Sequence, residues 1–196
     1  MYKLKKKLGV YYLFDYYPKS RYATCNALDQ VNREKLWRYK DGIREDVLKL
    51  TMELMMAIVQ ISKKAPTNKI GLVAVPTSEA NGFSSIKESI KVLKLLYDSG
   101  KLEEIGFDKE LYDFSGLLKR TINVPKSHAG ARVSEQRHME TIECARDYLA
   151  KYNTTFILMD DVVTTGTIMK VCRKIIVRHG AIPENIYSLT IGRTVE

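Results

Sequence analysis

Two adjacent carboxylates, Asp160 and Asp161, directly follow the apolar run from Phe156 to Met159. Four uncharged apolar residues in a row are typical of a strand that is buried on both faces. In open α/β sheets, ligands bind where such strands end. Carboxylates at that position can accept hydrogen bonds from sugar hydroxyls. The pair therefore predicts a position that binds sugar hydroxyls at the end of a buried strand.

A phosphate-binding turn is expected directly after this pair. Residues 164–167 read Thr-Thr-Gly-Thr, and Gly166 allows the backbone to approach an anion closely. From Thr167 to His179 the apolar residues recur at helical spacing, which predicts a helix that ends before Gly180. The free N–H groups and the dipole of its first turn favour a phosphate. The alternative, an ordinary acidic turn before a capped helix, does not require this complete order of features.

A second anion-binding loop is predicted after another buried strand. Ile70 to Val75 is apolar and stops at a proline, and small polar residues and Gly82 follow it. Such a loop presents backbone and hydroxyl donors, as an anion-binding nest does. A simple connection between a strand and a helix fits the same sequence. The loop residues singled out here are Pro76, Thr77, Ser78 and Glu79.

A basic segment lies between these two regions of the chain. From Lys119 to Arg137 it contains five lysines and arginines and one acid, Glu135. Its proline and glycine give it the composition of a mobile loop, and a mobile basic loop can close over an anionic leaving group and exclude water. An exposed charged connection is the alternative. The candidate lid residues are Arg120, Lys126, His128, Arg132 and Arg137.

Strands and helices alternate along the rest of the chain, which predicts an α/β fold with a doubly wound, mainly parallel sheet. The 196 residues suffice for one such core. We expect a small basic N-terminal extension at 1–35 and a core domain at 36–196. Strands are predicted at 70–75, 155–159 and 186–192, a short strand or packing segment at 8–14, and a short strand that starts at 117–118. Helices are predicted at 44–63, 84–97, 135–152 and 167–179.

Composition limits the class of protein. No apolar run reaches membrane-spanning length and no signal-peptide pattern is present, so a cytoplasmic protein without membrane contact is expected. Cys25, Cys144 and Cys172 are scattered without a CxxC pair, which indicates neither a zinc site nor a disulfide framework.

The net charge of +9 is uneven, since residues 1–65 carry 14 lysines and arginines against 7 acids. A polyanion contact, with nucleic acid for example, and a solvated basic terminus both fit this excess. No nucleic-acid-binding module is recognisable, which favours the solvated terminus.

The segment from Phe156 to Thr167 resembles the ribose-phosphate signature of type I phosphoribosyltransferases. In that family, apolar residues precede Asp-Asp and a Thr-Thr-Gly or Thr-Ala-Gly loop. The chain is also similar to the ComF-type (competence-protein) branch over about residues 36–194. That similarity is carried by the Val-Pro-Thr-Ser loop at 75–78, the Leu-Leu-Lys-Arg-Thr segment at 117–121, the Leu-Thr-Ile-Gly-Arg-Thr end at 189–194 and the stretch 37–42.

This resemblance implies a transferase that moves a 5-phosphoribosyl group from 5-phosphoribosyl-1-pyrophosphate (PRPP) to a nitrogenous base, with Mg²⁺ and with release of pyrophosphate. Asp160 and Asp161 would hold the ribose hydroxyls and could contact Mg²⁺, which PRPP itself would bind. The base would lie under a small hood built from the N-terminal region and residues 100–115. A homodimer is left open.

The resemblance also implies roles for the two loops and the basic segment. Lys126 and Arg132 of the lid would join the two carboxylates as catalytic residues, and the loop at 76–79 would hold the pyrophosphate. The 5-phosphate would be wrapped by Val163, Thr164, Thr165, Gly166 and Thr167.

Three departures from the family pattern lead to a second hypothesis. Asn81 stands where the family has an arginine, Ile168 stands where many relatives have Thr or Ser, and the N-terminal cysteine clusters are missing. A catalytically weak or inactive PRPP-sensing or accessory protein would accommodate these changes, with a nucleic-acid-related role in competence or defence. PRPP binding is expected under both hypotheses.

Overall fold

The computed structural model describes residues 4–17, 26–125 and 133–195. The α-helices are α1 (Ala27–Lys40), α2 (Arg44–Ser62), α3 (Ser85–Asp98), α4 (Glu135–Thr141) and α5 (Thr167–Arg178). The strands are β1 (Lys5–Lys7), β2 (Val10–Tyr16), β3 (Lys69–Ala74), β4 (Glu110–Asp113), β5 (Leu118–Arg120), β6 (Ile142–Cys144), β7 (Thr154–Val163) and β8 (Ile186–Thr194).

Six of the strands form one mostly parallel sheet in the order β1-β2-β8-β7-β3-β4. Only β1 pairs antiparallel, with β2, and the other neighbours in this sheet are parallel. Because parallel strands point the same way, β2, β8, β7 and β3 all end at one edge, which we call the carboxyl edge. The α/β class and the mainly parallel sheet predicted from the sequence are confirmed.

Helices cover both faces of this sheet, and the residues of β7 alternate between two cores. Ile157 and Met159 belong to the core beneath α1, α2 and α3. Phe156 and Leu158 belong to the core beneath α5 and the separate β5–β6 pair. The continuous apolar run of β7 is therefore a consequence of burial on both faces.

Helix α1 was not predicted, because its sequence is largely polar. Its N-terminus is capped by Asn26, whose side chain accepts a hydrogen bond from the N–H of Asp29 at 2.9 Å. Leu36 and Tyr39 are fully buried in the core that α1 shares with α2 and α3. The boundary expected after residue 35 falls inside this helix.

A buried chain of hydroxyls joins the three helices on this face. The Tyr39 hydroxyl lies 2.9 Å from Ser89 Oγ, and Thr51 Oγ1 donates to the same Ser89 Oγ at 2.7 Å. Buried polar groups that satisfy one another fix the relative positions of the elements that carry them. The end of α1 is thus held against the start of α3.

The helix predicted over 135–152 is wrong. Helix α4 ends at Thr141, Ile142 takes an extended conformation, and β6 pairs antiparallel with β5. A 3₁₀ turn then covers Leu149–Tyr152. The β-branched Thr141-Ile142 pair favours extended backbone, and Ile142 is buried by β-pairing in the second core. Among the described residues, no helix is both long and apolar enough to cross a membrane.

Candidate functional site

The acidic pair lies inside β7, near its C-terminal end, and not after it. The strand was expected to end at Met159, but it continues to Val163, with Asp160 opposite Thr190 and Val162 opposite Gly192 of β8. Pairing with β8 on one side extends the strand by four residues. Both carboxylates therefore stand on a fixed strand at the carboxyl edge, and Val163 is a strand residue.

Backbone hydrogen bonds orient both carboxylates. Asp160 Oδ1 accepts from the N–H of Asp161 at 2.9 Å, and Asp161 Oδ1 accepts from the N–H of Val162 at 2.6 Å. The second oxygen of Asp161, Oδ2, lies 3.2 Å from Lys40 Nζ at the end of α1. Asp161 thus has protein partners on both oxygens.

The surroundings of the acidic pair shift the pKa values of Asp160 and of Lys40. Burial, and next the charge of Asp161, raise the pKa of Asp160 well above its ordinary value. Partial burial lowers the pKa of Lys40, but the charges of Asp161 and Asp160 outweigh it, so that the pKa is raised overall. Asp160 consequently keeps its proton to higher pH than an exposed carboxyl, while Lys40 stays charged beside Asp161.

The predicted phosphate turn leads from β7 into α5 as expected. Gly166 is the N-cap residue of α5 and has a φ of 76°, in the left-handed region that favours glycine. Thr165 Oγ1 and Thr167 Oγ1 lie 2.9 Å apart, and Thr164 and Thr165 are exposed. The first turn of a 12-residue helix therefore lies at the carboxyl edge, where the N–H of Thr167 donates to Thr165 Oγ1 at 3.4 Å and a helix N-terminus favours an anion.

The loop after β3 reaches the same edge. The N–H of Val75 donates to Met159 O at 2.9 Å, which ties the start of the loop to β7. Thr77 Oγ1 donates to Glu79 O at 2.8 Å, and a Cβ on Gly82 would come within 2.9 Å of Thr77 Oγ1. The loop is folded tightly back on itself, and of its predicted residues Pro76, Thr77, Ser78 and Glu79, Thr77 lines a cavity that it shares with the acidic pair.

A small cavity of about 50 Å³ joins this loop to the acidic pair. Asp160, Asp161 and Lys40 line it together with residues of the loop and of the start of α3. These further lining residues are Val75, Thr77, Phe83, Ser84, Ser85 and Ile86. A larger cavity of about 270 Å³ lies between α4, β6 and the end of α5. The smaller one is the better candidate, because it lies at the carboxyl edge and the acidic pair lines it.

The predicted lid residues fall into two groups. Lys126, His128 and Arg132 lie outside the described residues. Arg137 lies on α4, is half exposed and pairs with Glu140 at 3.6 Å.

Arg120 is buried in β5 and is 4% exposed. Its Nε donates to Thr77 O and its Nη1 donates to Thr141 Oγ1 at 2.8 Å. Arg120 therefore holds the loop after β3 through its hydrogen bond to Thr77 O and does not line the cavity.

Lys40, Ser84 and Ser85 were missed as site residues. They are far from Asp160 in sequence, and only the packing of α1 and α3 against the sheet brings them to it. The one available signal was the similarity of the stretch 37–42 to a known family. Residues 100–109, expected in a hood, precede β4 and so lie at the opposite edge of the parallel sheet.

The basic N-terminus forms the edge strand β1, which β2 and β8 separate from β7. Lys6 Nζ lies 4.8 Å and Lys64 Nζ 5.2 Å from the centre of the Tyr11 ring. Within the described residues, no ion pair joins either lysine to a carboxylate. Lysines on an edge strand also prevent pairing with a second sheet, so this arrangement agrees with both meanings given to the basic excess.

His138, beside Arg120, predicts a loss of stability in mild acid. Its Nδ1 lies 3.4 Å from Arg120 Nη2, and because a guanidinium can only donate, Nδ1 must accept. Burial, and next the charge of Arg120, lower the pKa of His138 below its ordinary 6.5. The unfolded chain therefore takes up a proton near pH 6.5 that the folded chain refuses, so stability is complete above that pH and falls as the pH decreases toward the folded pKa.

Urea denaturation at pH 7.5 and pH 5.5 measures this effect. The wild type should lose about 1 kcal/mol more between the two values than His138→Gln, which has no titrating ring. Equal losses in the two proteins would contradict a buried neutral histidine.

No known protein-family model matches the chain, and no curated protein matches its sequence.

Proposed function

We propose that the protein is a Mg²⁺-dependent phosphoribosyltransferase that binds PRPP and transfers its 5-phosphoribosyl group to a nitrogenous base. One observation carries the proposal: the acidic pair of β7 and the first turn of α5 adjoin at the carboxyl edge. A ribose 5-phosphate needs a polar partner for its hydroxyls and, a few ångströms away, an anion site. The proposal includes the type I phosphoribosyltransferase fold for the sheet and its helices.

Each segment has a distinct task in the proposed reaction. Asp160 and Asp161 accept hydrogen bonds from the ribose hydroxyls, and the N–H groups after Gly166 bind the 5-phosphate. The loop at 76–79 binds the pyrophosphate, and Lys126 and Arg132 close over it. A ring nitrogen of the base forms a bond to the anomeric carbon as the bond from that carbon to the pyrophosphate oxygen breaks. The electron pair leaves with pyrophosphate, and the proton lost from the ring nitrogen passes to solvent.

The donor set suits Mg²⁺ when the substrate supplies most of the ligands. Among the described residues, no cluster of three or more His, Cys, Asp or Glu side chains could hold a metal ion alone. Asp160 and Asp161 offer carboxylate oxygens, which Mg²⁺ prefers, and Mg²⁺ commonly combines one or two carboxylates with substrate phosphates. Bound there, the ion would neutralise charge on the departing pyrophosphate.

A PRPP-binding protein without turnover is the second candidate. The loop from Thr77 to Gly82 contains no basic residue and carries Glu79, so its stabilisation of a leaving pyrophosphate is weaker than that of a basic loop. Lys6 and Lys64 beside Tyr11 would give this second candidate a separate site for an anionic partner, such as nucleic acid.

Calorimetry with PRPP and Mg²⁺, followed by a panel of nucleobases with detection of pyrophosphate, separates these candidates. Micromolar binding that requires Mg²⁺, with pyrophosphate release for at least one base, is expected of the transferase. Binding without release for any base would favour the second candidate. A folded protein that does not bind PRPP would contradict both.

Gly166→Ala should weaken ribose 5-phosphate binding about tenfold, because the αL strain of a non-glycine residue shifts the first turn of α5. Gly100→Ala is the matched control, since Gly100 has a φ of 78° with no atom within 4 Å of an added Cβ. Both substitutions should cost about 1–2 kcal/mol of stability, but only the first should change the affinity measured by calorimetry. Equal affinities in the two variants would exclude the α5 turn as the phosphate site.

A further inference from the structure

Lys40 is the only cation among the described residues that line the cavity beside the acidic pair. It is the last residue of α1, and its side chain is 41% exposed with Nζ 3.2 Å from Asp161 Oδ2. The C-terminal end of a helix favours a positive charge. The ammonium group is thus held at the cavity by Asp161 and by the end of α1, yet one of its sides faces solvent.

The rest of the cavity lining includes Thr77 of the loop and the first turn of α3, with Ser84 and Ser85. Helix α3 has 14 residues and is capped by Ser84, whose Oγ accepts from the N–H of Lys87 at 3.3 Å. The Thr77 and Ser85 hydroxyls already donate to Glu79 O and Tyr39 O. An anion in this cavity would therefore meet the N-terminus of α3, the Ser84 hydroxyl and one ammonium group.

The position of Lys40 relative to α3 is fixed by its neighbour. Ser85 Oγ donates to the carbonyl oxygen of Tyr39 at 2.5 Å, and the Tyr39 hydroxyl lies 2.9 Å from Ser89 Oγ. Tyr39 is fully buried. These two contacts join the end of α1 to the start of α3, so the backbone that carries Lys40 is held beside the first turn of α3.

The loop that faces the proposed pyrophosphate has no cation of its own. Residues 76–83 contain no lysine, arginine or histidine and include the acidic Glu79. Two or more negative charges cannot leave water for such a loop without a compensating cation. In the described structure the cation that reaches this cavity comes from α1.

We propose that Lys40 is a substrate-binding residue for the pyrophosphate group, and that it exchanges Asp161 for a phosphate oxygen when PRPP binds. This inference rests on the proposed function. In this structure Lys40 pairs with Asp161, and its transfer to the more highly charged pyrophosphate releases Asp161 Oδ2 for a ribose hydroxyl. The same side chain therefore pairs with Asp161 before PRPP binds and contacts the leaving group in the complex.

Calorimetry with three probes tests this role: Mg²⁺-pyrophosphate, ribose 5-phosphate and Mg²⁺-PRPP. Lys40→Gln should reduce the affinity for pyrophosphate and for PRPP by about 10- to 100-fold, the effect of one charge-assisted contact, and should leave ribose 5-phosphate affinity within about twofold. Lys40→Arg should restore most of the pyrophosphate affinity. Lys91→Gln is the control, since Lys91 on α3 also forms an ion pair, with Glu88 at 2.8 Å, but does not line the cavity.

Two outcomes would overturn the assignment. Equal losses for pyrophosphate and ribose 5-phosphate would mean that Lys40 acts only by holding Asp161, and unchanged pyrophosphate affinity would mean that it does not contact this group. Circular dichroism and thermal denaturation identify a variant that fails to fold, and Lys40→Met then provides an apolar replacement of similar length. If wild-type protein binds pyrophosphate but not PRPP, the proposed transferase fails while the assignment of Lys40 is still decided by the pyrophosphate arm.

Discussion

Asp160→Asn is expected to make the protein more stable and to weaken PRPP binding sharply. Burial and the neighbouring charge of Asp161 raise the pKa of Asp160. Ionisation of this carboxyl therefore lowers the free energy of unfolding. Since the folded state binds this proton more tightly than the unfolded state, the contribution to stability is largest at low pH and is lost as the pH rises through the folded pKa. An asparagine keeps the acceptor for the N–H of Asp161 and removes the charge.

The expected gain at pH 7.5 is about 1 kcal/mol in urea denaturation, and it should disappear at pH 4. PRPP affinity should fall on the order of 100-fold, because a carboxylate that binds ribose hydroxyls is replaced by a weaker acceptor. Stability gained at the expense of function is typical of a binding site.

Asp161→Asn is the matched comparison. It should also weaken PRPP binding on the order of 100-fold, but without a gain in stability, because it leaves Lys40 without its ion pair. The stability loss should be below about 1 kcal/mol, since both side chains are partly exposed. If the two variants changed stability in the same direction and by the same amount, the prediction that only the Asp160 charge destabilises the folded state would be wrong.

Arg120→Met is expected to destabilise the protein by about 2–4 kcal/mol and to weaken pyrophosphate binding at least about tenfold. The buried guanidinium donates to Thr77 O and Thr141 Oγ1 and lies beside His138. A methionine fills a similar volume but leaves these acceptors without a donor. The loop after β3 would lose the support that fixes Thr77 at the cavity.

Arg173→Met provides the control for this prediction. Arg173 donates to the carbonyl oxygens of Ile186, at 2.7 Å, and Pro183, at the amino end of β8 and far along the strand from the cavity. Both variants should unfold at lower urea concentration than the wild type, and only Arg120→Met should lose pyrophosphate affinity in calorimetry. Unchanged pyrophosphate affinity in a folded Arg120→Met protein would show that the loop does not depend on Arg120.

The sequence was most informative where one local pattern determined one element. Residues 154–178 follow their apolar periodicity closely, because β7 is buried on both faces and α5 on one. The stretch after Thr141 was not predictable in this way, since β6 exists only through its pairing with β5. Helix α1 was hidden because its polar surface residues outnumber the few that it buries.

The candidate site also has one part that follows from local sequence and another that depends on long-range packing. Asp160 to Thr167 are neighbours in the chain, so their joint geometry follows from a strand, a turn and a helix. Lys40 reaches Asp161 only through the packing of α1 on α2 and α3. Arg120, expected in the basic lid, is buried, and Thr77, Thr141 and His138 surround its guanidinium. Long-range packing of this kind leaves no trace in local spacing.

The parallel pairing of β2 with β8 has a consequence for folding kinetics. These strands come from opposite ends of the described chain, with Tyr11 opposite Leu189, and the N–H of Val195 donates to Tyr16 O at 3.0 Å. Contacts between residues so distant in sequence form slowly, because loop closure must precede them. During synthesis, β2 must wait without its partner until β8 has emerged from the ribosome. Until then, the edge of this apolar strand that pairs with β8 is exposed to aggregation.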